Sequence, residues 1–427
     1  MPRISLGRAH LAISTLIREI RRSGATETTL TAVGGVRRAA PDVGSVSVLG
    51  VTEDDQAGAF LDACSRLPSI RRIVSRSGTA LSVITDRGDI TIHSTDRAHA
   101  GAALIMLTGT MGHVSALASL AEGCGLRLSA GTLADPSGSL IDTPTEEAIY
   151  ARLGLAFVPP ELREDASAID AARNRTLPSL LNDLHMRGDL HMHSTWSDGR
   201  DSVHVMVERA QALGYEYVAI TDHSKSTACS RTLSLEDVTR QRDEIASLRA
   251  IYPQITILHG VEVEILPDGS LDFDHETLSG FDIVLASLHD SSGDSRERLT
   301  ERYLGAIAHP CVNVITHPAN RKPALSAGHD VDFDQLFAAA RHSGTALEVD
   351  GAPGHLDMDG ALARRATAAD VTIVVNSDSH RVGALSRQMR FGVATARRGW
   401  VEPRHVLNTR PLGMVREFIA RKRSGVQ

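Results

Sequence analysis

At 427 residues and 42% hydrophobic content, the chain is too long for one ordinary core and too apolar to remain unfolded, so two globular domains are expected. A formal net charge of −7 argues against a generally basic nucleic-acid binder while leaving room for a local basic patch. Cys64, Cys124, Cys229 and Cys311 form no C-x-x-C pair, which fits neither a disulfide framework nor a thiolate zinc site. Neither a signal-like N-terminus nor a run of about 18 apolar residues occurs, so a cytoplasmic chain with no membrane span is expected. Of 19 histidines, only His10, His93, His99 and His113 precede residue 185.

In chain order, Leu11, Ile13, Leu16, Ile17 and Ile20 predict an amphipathic helix over about 10–23, closed by Ser23-Gly24. A strand at Thr29–Val33, a turn at Gly34-Gly35 and an alternating run at Ser45–Leu49 follow. A helix over about 54–66 leads to a hairpin, Ala80–Thr85 and Asp89–Ser94, joined through Asp86-Arg87-Gly88. Two more helices, about 97–106 and 112–123, complete a small α+β unit.

The motifs of this half are Gly34-Gly35-Val36-Arg37-Arg38, Val43-Gly44-Ser45-Val46-Ser47, Thr108-Gly109-Thr110, Thr143 with Glu146, and Val158-Pro159-Pro160-Glu161-Leu162-Arg163-Glu164-Asp165. They resemble the nucleotidyltransferase-like palm and the thumb of bacterial family X DNA polymerases. That palm carries Gly-Asp-x-Asp on one strand and a third Asp on a later one, and the carboxylates hold two Mg²⁺ ions. Here Ser45 and Ser47 stand at the first two positions and, by alignment, Thr91 at the third. A hydroxyl replaces a carboxylate as a hard-cation ligand neither in charge nor in reach. Met106-Leu107 stands where the family has Tyr-Phe, and the family's helix-hairpin-helix domain and most of its fingers are expected to be missing. The resemblance implies a degenerate palm kept as a scaffold, with polymerase activity lost. Residual nucleotide or DNA binding through Arg37 and Arg38 is a rival reading, and a solvated surface pair another.

Residues 166–185, with Pro178 and the apolar Leu180, Leu181 and Leu184, read as a connector between domains 1–165 and 186–427. At Gly188–Gly199 a short strand ends in His191 and His193, which share one face, and Asp198 follows in the next loop. Taken alone this pattern is weak, because surface histidines are common. It then recurs. Tyr217–Thr221 runs into Asp222-His223, and Ile255–Val261 into Glu262. Ile283–Leu288 ends at His289, Val312–Thr316 at His317, Thr345–Val349 at Asp350, and Val371–Ser377 at Asp378, with His380 two residues on. Helical patterns such as Val203–Leu213, Leu235–Leu248 and Leu336–Arg341 separate these seven runs. The alternation predicts an α/β parallel barrel with its chemistry at the carboxyl ends of the strands. Six histidines (His191, His193, His223, His289, His317, His380) and three carboxylates (Asp198, Glu262, Asp378) would then share one mouth. Without cations they would pair badly and the carboxylates would repel one another.

His191-x-His193 with Asp198, Thr221-Asp222-His223, Glu262, His289, His317-Pro318 and Asp378-x-His380 resemble the polymerase and histidinol phosphatase (PHP) superfamily. Asp222-His223-Ser224-Lys225-Ser226, Leu266–Asp272, Gly392–Trp400 and Leu407–Leu412 resemble, more specifically, the PHP domain fused to bacterial family X polymerases. The resemblance implies a distorted (β/α)7 barrel holding three divalent ions. His191, His193, Glu262 and Asp378 would hold one; Glu262 would bridge to a second, held also by His289 and His317; Asp198, His223 and His380 would hold the third. Mixed imidazole and carboxylate ligands suit Zn²⁺, Mn²⁺ or Fe²⁺ better than Mg²⁺ alone. Phosphoester hydrolysis is the implied reaction, with the ions activating a water and binding phosphoryl oxygens. It places Glu262, Asp378 and His193 at the reacting centre. Lys225 and Arg321, in loops after His223 and His317, would help hold the phosphate or are simply solvated cations. Asp222 is read either as orienting a ligand histidine or as capping its strand. His259, Glu264 and His355 are read as structural or surface groups, although His355 stands where the family has Arg. Arg421-Lys422-Arg423 reads as a frayed helix end or a DNA contact.

The expected function is a metal-dependent phosphoesterase on nucleic acid, a 3′-5′ exonuclease or 3′-end phosphoesterase of the kind used in DNA repair. Its substrate would be a DNA 3′ end or a nucleotide. The decayed palm and acidic charge favour an alternative, a phosphatase of a nucleoside or sugar monophosphate or of histidinol phosphate. An alternative of another class is a non-catalytic nucleic-acid- or protein-binding module with structural metals. Structural zinc sites are closed tetrahedra, and nine donors with open positions argue against it.

Overall fold

In the computed structural model, which describes residues 3–24, 28–53, 55–291 and 293–425, the chain divides into two units, Met1–Pro178 and Ser179–Gln427. The N-terminal unit is built on a five-stranded sheet in the order Thr29–Val33, Val46–Thr52, Gly88–Asp96, Ala80–Thr85, Ile70–Arg76. Period-two alternation buries Val46 and Val48 on one side of the strand Val46–Thr52 and leaves Ser47 on the other. The first helix, Leu6–Arg22, starts earlier than the periodicity predicts, because the small Leu6-face residues Ala9 and Ala12 join Ile13, Leu16 and Ile20 in its buried stripe. Gly34-Gly35 opens a short helix, Gly34–Arg37, rather than a turn. The next helix is Ala57–Ser65; position 54, its expected start, lies outside the described residues. The edge strand Ile70–Arg76 was not legible in the sequence, since both of its faces are exposed and carry Arg and Ser in place of an apolar alternation.

Ser47 pairs in register with Thr91, and Thr91 Oγ1 lies 3.2 Å from Ser82 Oγ. The palm strands are thus retained with hydroxyls where the resemblance expects carboxylates. Arg37 and Arg38 are half-buried and engaged by acids rather than forming a solvated surface pair. Arg37 binds both oxygens of Glu146, at 2.7 and 2.6 Å, and Thr108 Oγ1 at 3.0 Å. The fully buried Arg163 meets the same carboxylate. Arg38 pairs with Glu164 at 2.9 Å. Burial pushes Glu146 up, but Arg37 and Arg163 hold it below the usual carboxylate range. The stretch 166–185 is structured, with helix Ser167–Arg173 in the first unit and a 3₁₀ turn, Asp183–His185, in the second.

The second unit is a nearly closed barrel of seven parallel strands in sequential order: Gly188–Asp189, Tyr217–Ile220, Thr256–Glu264, Ile283–Ser287, Val314–Ile315, Ala346–Asp350 and Ile373–Asn376. A Met192–Ser379 bridge and a His193 N–H bond to Ser379 O, 3.0 Å, tie the first strand to the seventh. Val218, Ile220, Leu347 and Val349 face outward into the layer beneath the helices. Tyr217, Ala219, Leu285, Val314, Ala346 and Val374 form the inner core with Leu407, Val415 and Ile419. The last two belong to the C-terminal helix Leu412–Ser424. That helix is not frayed at Arg421-Lys422-Arg423, and the run is not displayed for DNA: the buried Lys422 donates to Ile307 O at 2.5 Å and Arg423 to Phe281 O at 2.7 Å. Among the described residues no helix is long and apolar enough to cross a membrane.

Candidate metal centre

Polar residues at or just past the carboxyl ends of the barrel strands turn into the mouth. His191 and His193 follow the first strand, His223 the second, His289 the fourth, His317 the fifth, and Asp378 and His380 the seventh; Glu262 lies within the third. All nine sequence-predicted donors meet there. His191 Nε2 lies 3.1 Å from His193 Nε2, 3.4 Å from Glu262 Oε2 and 3.6 Å from Asp378 Oδ1. His193 Nε2 lies 3.5 Å from the same Glu262 oxygen and 3.2 Å from the same Asp378 oxygen. Ligands held about 2.0–2.2 Å from a four-coordinate ion stand roughly 3.3–3.5 Å apart, so this spacing is that of a coordination shell.

Glu262 Oε1 reaches His317 Nε2 at 3.0 Å, and His223, Glu262 and His289 offer atoms within 4.8 Å of one another. His193, Asp198, His223 and His380 do the same on the other side, with Asp198 Oδ1 3.1 Å from His380 Nε2. The buried atoms Glu262 Oε2, His223 Nδ1 and Asp198 Oδ1 have no hydrogen-bond partner. Buried polar atoms normally have one; here they face one another at ligand spacing, which fits bound divalent cations. His317 and Asp378 hold left-handed backbones, φ 26° and 48°, a conformation that costs a non-glycine residue about 1–3 kcal/mol.

Charge in the mouth follows from these contacts. Burial lowers His191, but Glu348, Glu262 and Asp378 around it raise it well above the ordinary value. Burial likewise opposes, and Glu262 outweighs, at His317, raised to about 9; Asp378 and Asp198 do the same at His380, also about 9. His193, buried beside His380 and His223, is pushed down to about 3. Burial pushes Glu262 up, yet the facing His191 and His223 hold it well below the carboxylate range.

Behind the donors stand acids that fix the rings. Glu348, fully buried, binds His191 Nδ1 at 2.8 Å, the His317 N–H at 2.9 Å and Asn376 Nδ2 at 2.8 Å. Glu264 binds His289 Nδ1 at 2.6 Å and its backbone N–H at 2.9 Å, so of the structural and surface roles expected it takes the structural one. Such acids fix the tautomer and orientation of a ligand histidine. Sequence reasoning passed over Glu348, although a Glu inside the apolar run Ala346–Asp350 was a signal. Asp222 orients no histidine: it accepts from Ser194 N and Oγ, Ser197 N and Oγ, and Gln241 Nε2, fastening the loop that carries Asp198. Gln241 in turn meets His259 Nε2 at 3.0 Å, a structural role as expected.

The two cations expected at the mouth are not there. Lys225 Nζ lies over the Phe273 ring, 5.7 Å from its centroid, and Arg321 Nη1 pairs with Asp359 at 3.0 Å; neither lines the cavity. His355 does, together with Asp198, His223, Glu262, His289, His317, Asp378, His380 and Cys229, around about 230 Å³. Its ring stacks on His317, centroids 5.0 Å apart, and its Nδ1 is buried without a partner.

Residues 189–339 match the PHP domain, and residues 103–164 match the DNA polymerase beta thumb. Over 392 residues, 91% of this chain and 68% of the relative, the chain is 34% identical to the DNA polymerase/3′-5′ exonuclease PolX of Bacillus subtilis. A "Probable phosphatase" of Shewanella oneidensis is 29% identical over 45% of this chain and 75% of its own length. Another, of Acetivibrio thermocellus, is 31% identical over 45% of this chain and 78% of its own. The chain belongs to the PolX family, the family X DNA polymerases of bacteria that carry a PHP domain.

Proposed function

We propose that the barrel domain, about residues 186–427, is a divalent-metal phosphoesterase that removes nucleotides or phosphate from nucleic-acid 3′ ends. In this reading the N-terminal domain, about residues 1–165, serves as a non-polymerising scaffold. The observation that carries this reading is Glu262 Oε2. It is buried, makes no well-aligned hydrogen bond, and faces His191, His193 and His223 at 3.4, 3.5 and 2.9 Å. Bound ions would supply Lewis acidity and an activated water there. The residues hold the rest in place: Glu348 and Glu264 keep His191 and His289 facing inward, and Asp222 keeps the Asp198 loop against the mouth. A cavity of about 230 Å³ admits a phosphoryl group with part of its sugar end-on, which suits a chain terminus. The exposed Arg231 beside Trp196, 5.6 Å from its ring, stands next to the Asp198 loop and suits a single strand.

The relatives named phosphatases, matched over less than half of this chain, favour a second reading in which the substrate is a small phosphomonoester. Metal-loaded protein is incubated with 3′-labelled single-stranded DNA ending in hydroxyl or phosphate and, separately, with a phosphomonoester panel. Release from DNA that stops with EDTA and in His193→Ala supports the first reading; turnover of monoesters alone supports the second. Turnover of neither refutes both. Primer extension with dNTP and Mn²⁺ yields no product if the palm is inactive, and any templated incorporation refutes that statement.

A further inference from the structure

Among the described residues, one group of potential metal donors lies outside the mouth: His275, His309 and Cys311, whose donor atoms all fall within 4.8 Å of one another. Their sequence spacing announces nothing, and topology assembles them. His275 is the first residue of helix His275–Ser279, which leads into the fourth barrel strand. His309 ends helix Arg296–Ala308, and Cys311 follows it in the loop entering the fifth strand. The trio therefore sits at the strand-entry end of the barrel, whereas His289 and His317 follow the same two strands at the exit end.

We propose that His275, His309 and Cys311 form a Zn²⁺ site, its tetrahedron closed by one water, that clips together the entries of two adjacent barrel strands. Both imidazoles present Nδ1 to the cysteine. His275 Nδ1 lies 3.7 Å from Cys311 Sγ, where a tetrahedral zinc with bonds of about 2.3 Å to sulfur and about 2.0–2.1 Å to nitrogen requires roughly 3.6 Å. His309 Nδ1 accepts only a long bond, 3.3 Å, from the Cys311 backbone N–H, which metal coordination would replace. The ring centroids of His275 and His309 stand 5.5 Å apart, tilted by 58° rather than stacked, and one donor atom of each ring lies with Cys311 Sγ within a 4.8 Å group. Cys311 is buried and His275 exposed, giving an ion a solvent route to a shielded thiol. The neighbouring cations are already engaged, Lys422 with Ile307 O and Arg423 with Phe281 O. Binding exchanges the Cys311 S–H bond for an S–Zn bond, the proton passes to solvent, and no electron is transferred.

Co²⁺ substitution tests this, because the nine donors of the mouth include no sulfur. The full chain is used with Cys229→Ser, since Cys229 lines the mouth. Cobalt-loaded protein is expected to show sulfur-to-cobalt charge-transfer absorption and to hold one more Co²⁺ per chain than the His275→Ala variant, in which the absorption is lost. His275 is exposed, so that variant keeps its fold, verified by circular dichroism; Cys311→Ser must lose the same absorption and the same equivalent. Absence of the absorption in the parent protein, or its persistence with unchanged stoichiometry in His275→Ala, overturns the proposal.

Discussion

Replacing Glu348 by Gln changes one atom and one charge at a fully buried position. Two donors, His191 Nδ1 and Asn376 Nδ2, meet Oε1 at 2.8 Å each, and the His317 N–H meets Oε2 at 2.9 Å. The glutamine amide can keep the first two bonds only by turning its NH₂ against the His317 N–H. That leaves buried donors facing each other, a cost of about 1–3 kcal/mol. The lost charge also removes the first of the carboxylates that hold His191 well above its ordinary value, so the ring is a poorer electron donor toward the mouth. Removal of such a supporting acid weakens metal binding by about 10–100-fold, or roughly 1.4–2.7 kcal/mol. Competition of the protein with a chromophoric chelator for Zn²⁺ measures this directly. Glu216→Gln serves as control, because Glu216 sits in an exposed pair with Arg187 and its loss leaves the affinity unchanged. Wild-type affinity in Glu348→Gln, with binding abolished in His191→Ala, would refute the claim that Glu348 sets the donor.

Two further predictions address the loops and the N-terminal unit. In Gly199→Ala the new Cβ would stand 2.6 Å from Ser194 N and O and 2.7 Å from His193 C. All three are backbone atoms, so the loop must move and carry Asp198 with it; about 1–3 kcal/mol of stability is lost, together with any ion that Asp198, His223 and His380 would hold. Unchanged metal stoichiometry and melting temperature would count against this. His113 is fully buried between Tyr150 and Asp165, and burial lowers it from 6.5 to about 4. The unfolded chain therefore binds its proton first as the pH drops. The stabilisation is complete above pH 6.5, declines toward pH 4 and levels off below it, a total of about 3 kcal/mol. Urea midpoints across that range should fall more steeply in wild type than in His113→Gln; parallel curves would exclude His113 as the cause.

What the sequence made legible were features written along one segment. An apolar run that stops at His or Asp marks both a buried parallel strand and the end from which its next side chain enters the mouth. The barrel, and the meeting of most of the nine candidate donors at its mouth, could be read in that way. Lys225 and Arg321 were placed by the same spacing, and it failed for them because their side chains are long enough to choose between solvent, Phe273 and Asp359. Partners remote in sequence were hidden for a different reason. His191 and Glu348 are 157 positions apart, and they touch because both point into a barrel whose closure sets the first strand beside the seventh and so one strand away from the sixth. A buried acid on an inward-facing strand position demands a donor, and that demand is visible in Ala346-Leu347-Glu348-Val349-Asp350. Which donor answers depends on strand order and closure, which no local pattern encodes. The same logic brings His275 to Cys311: helix entry and strand entry become neighbours only after the fourth and fifth strands have paired.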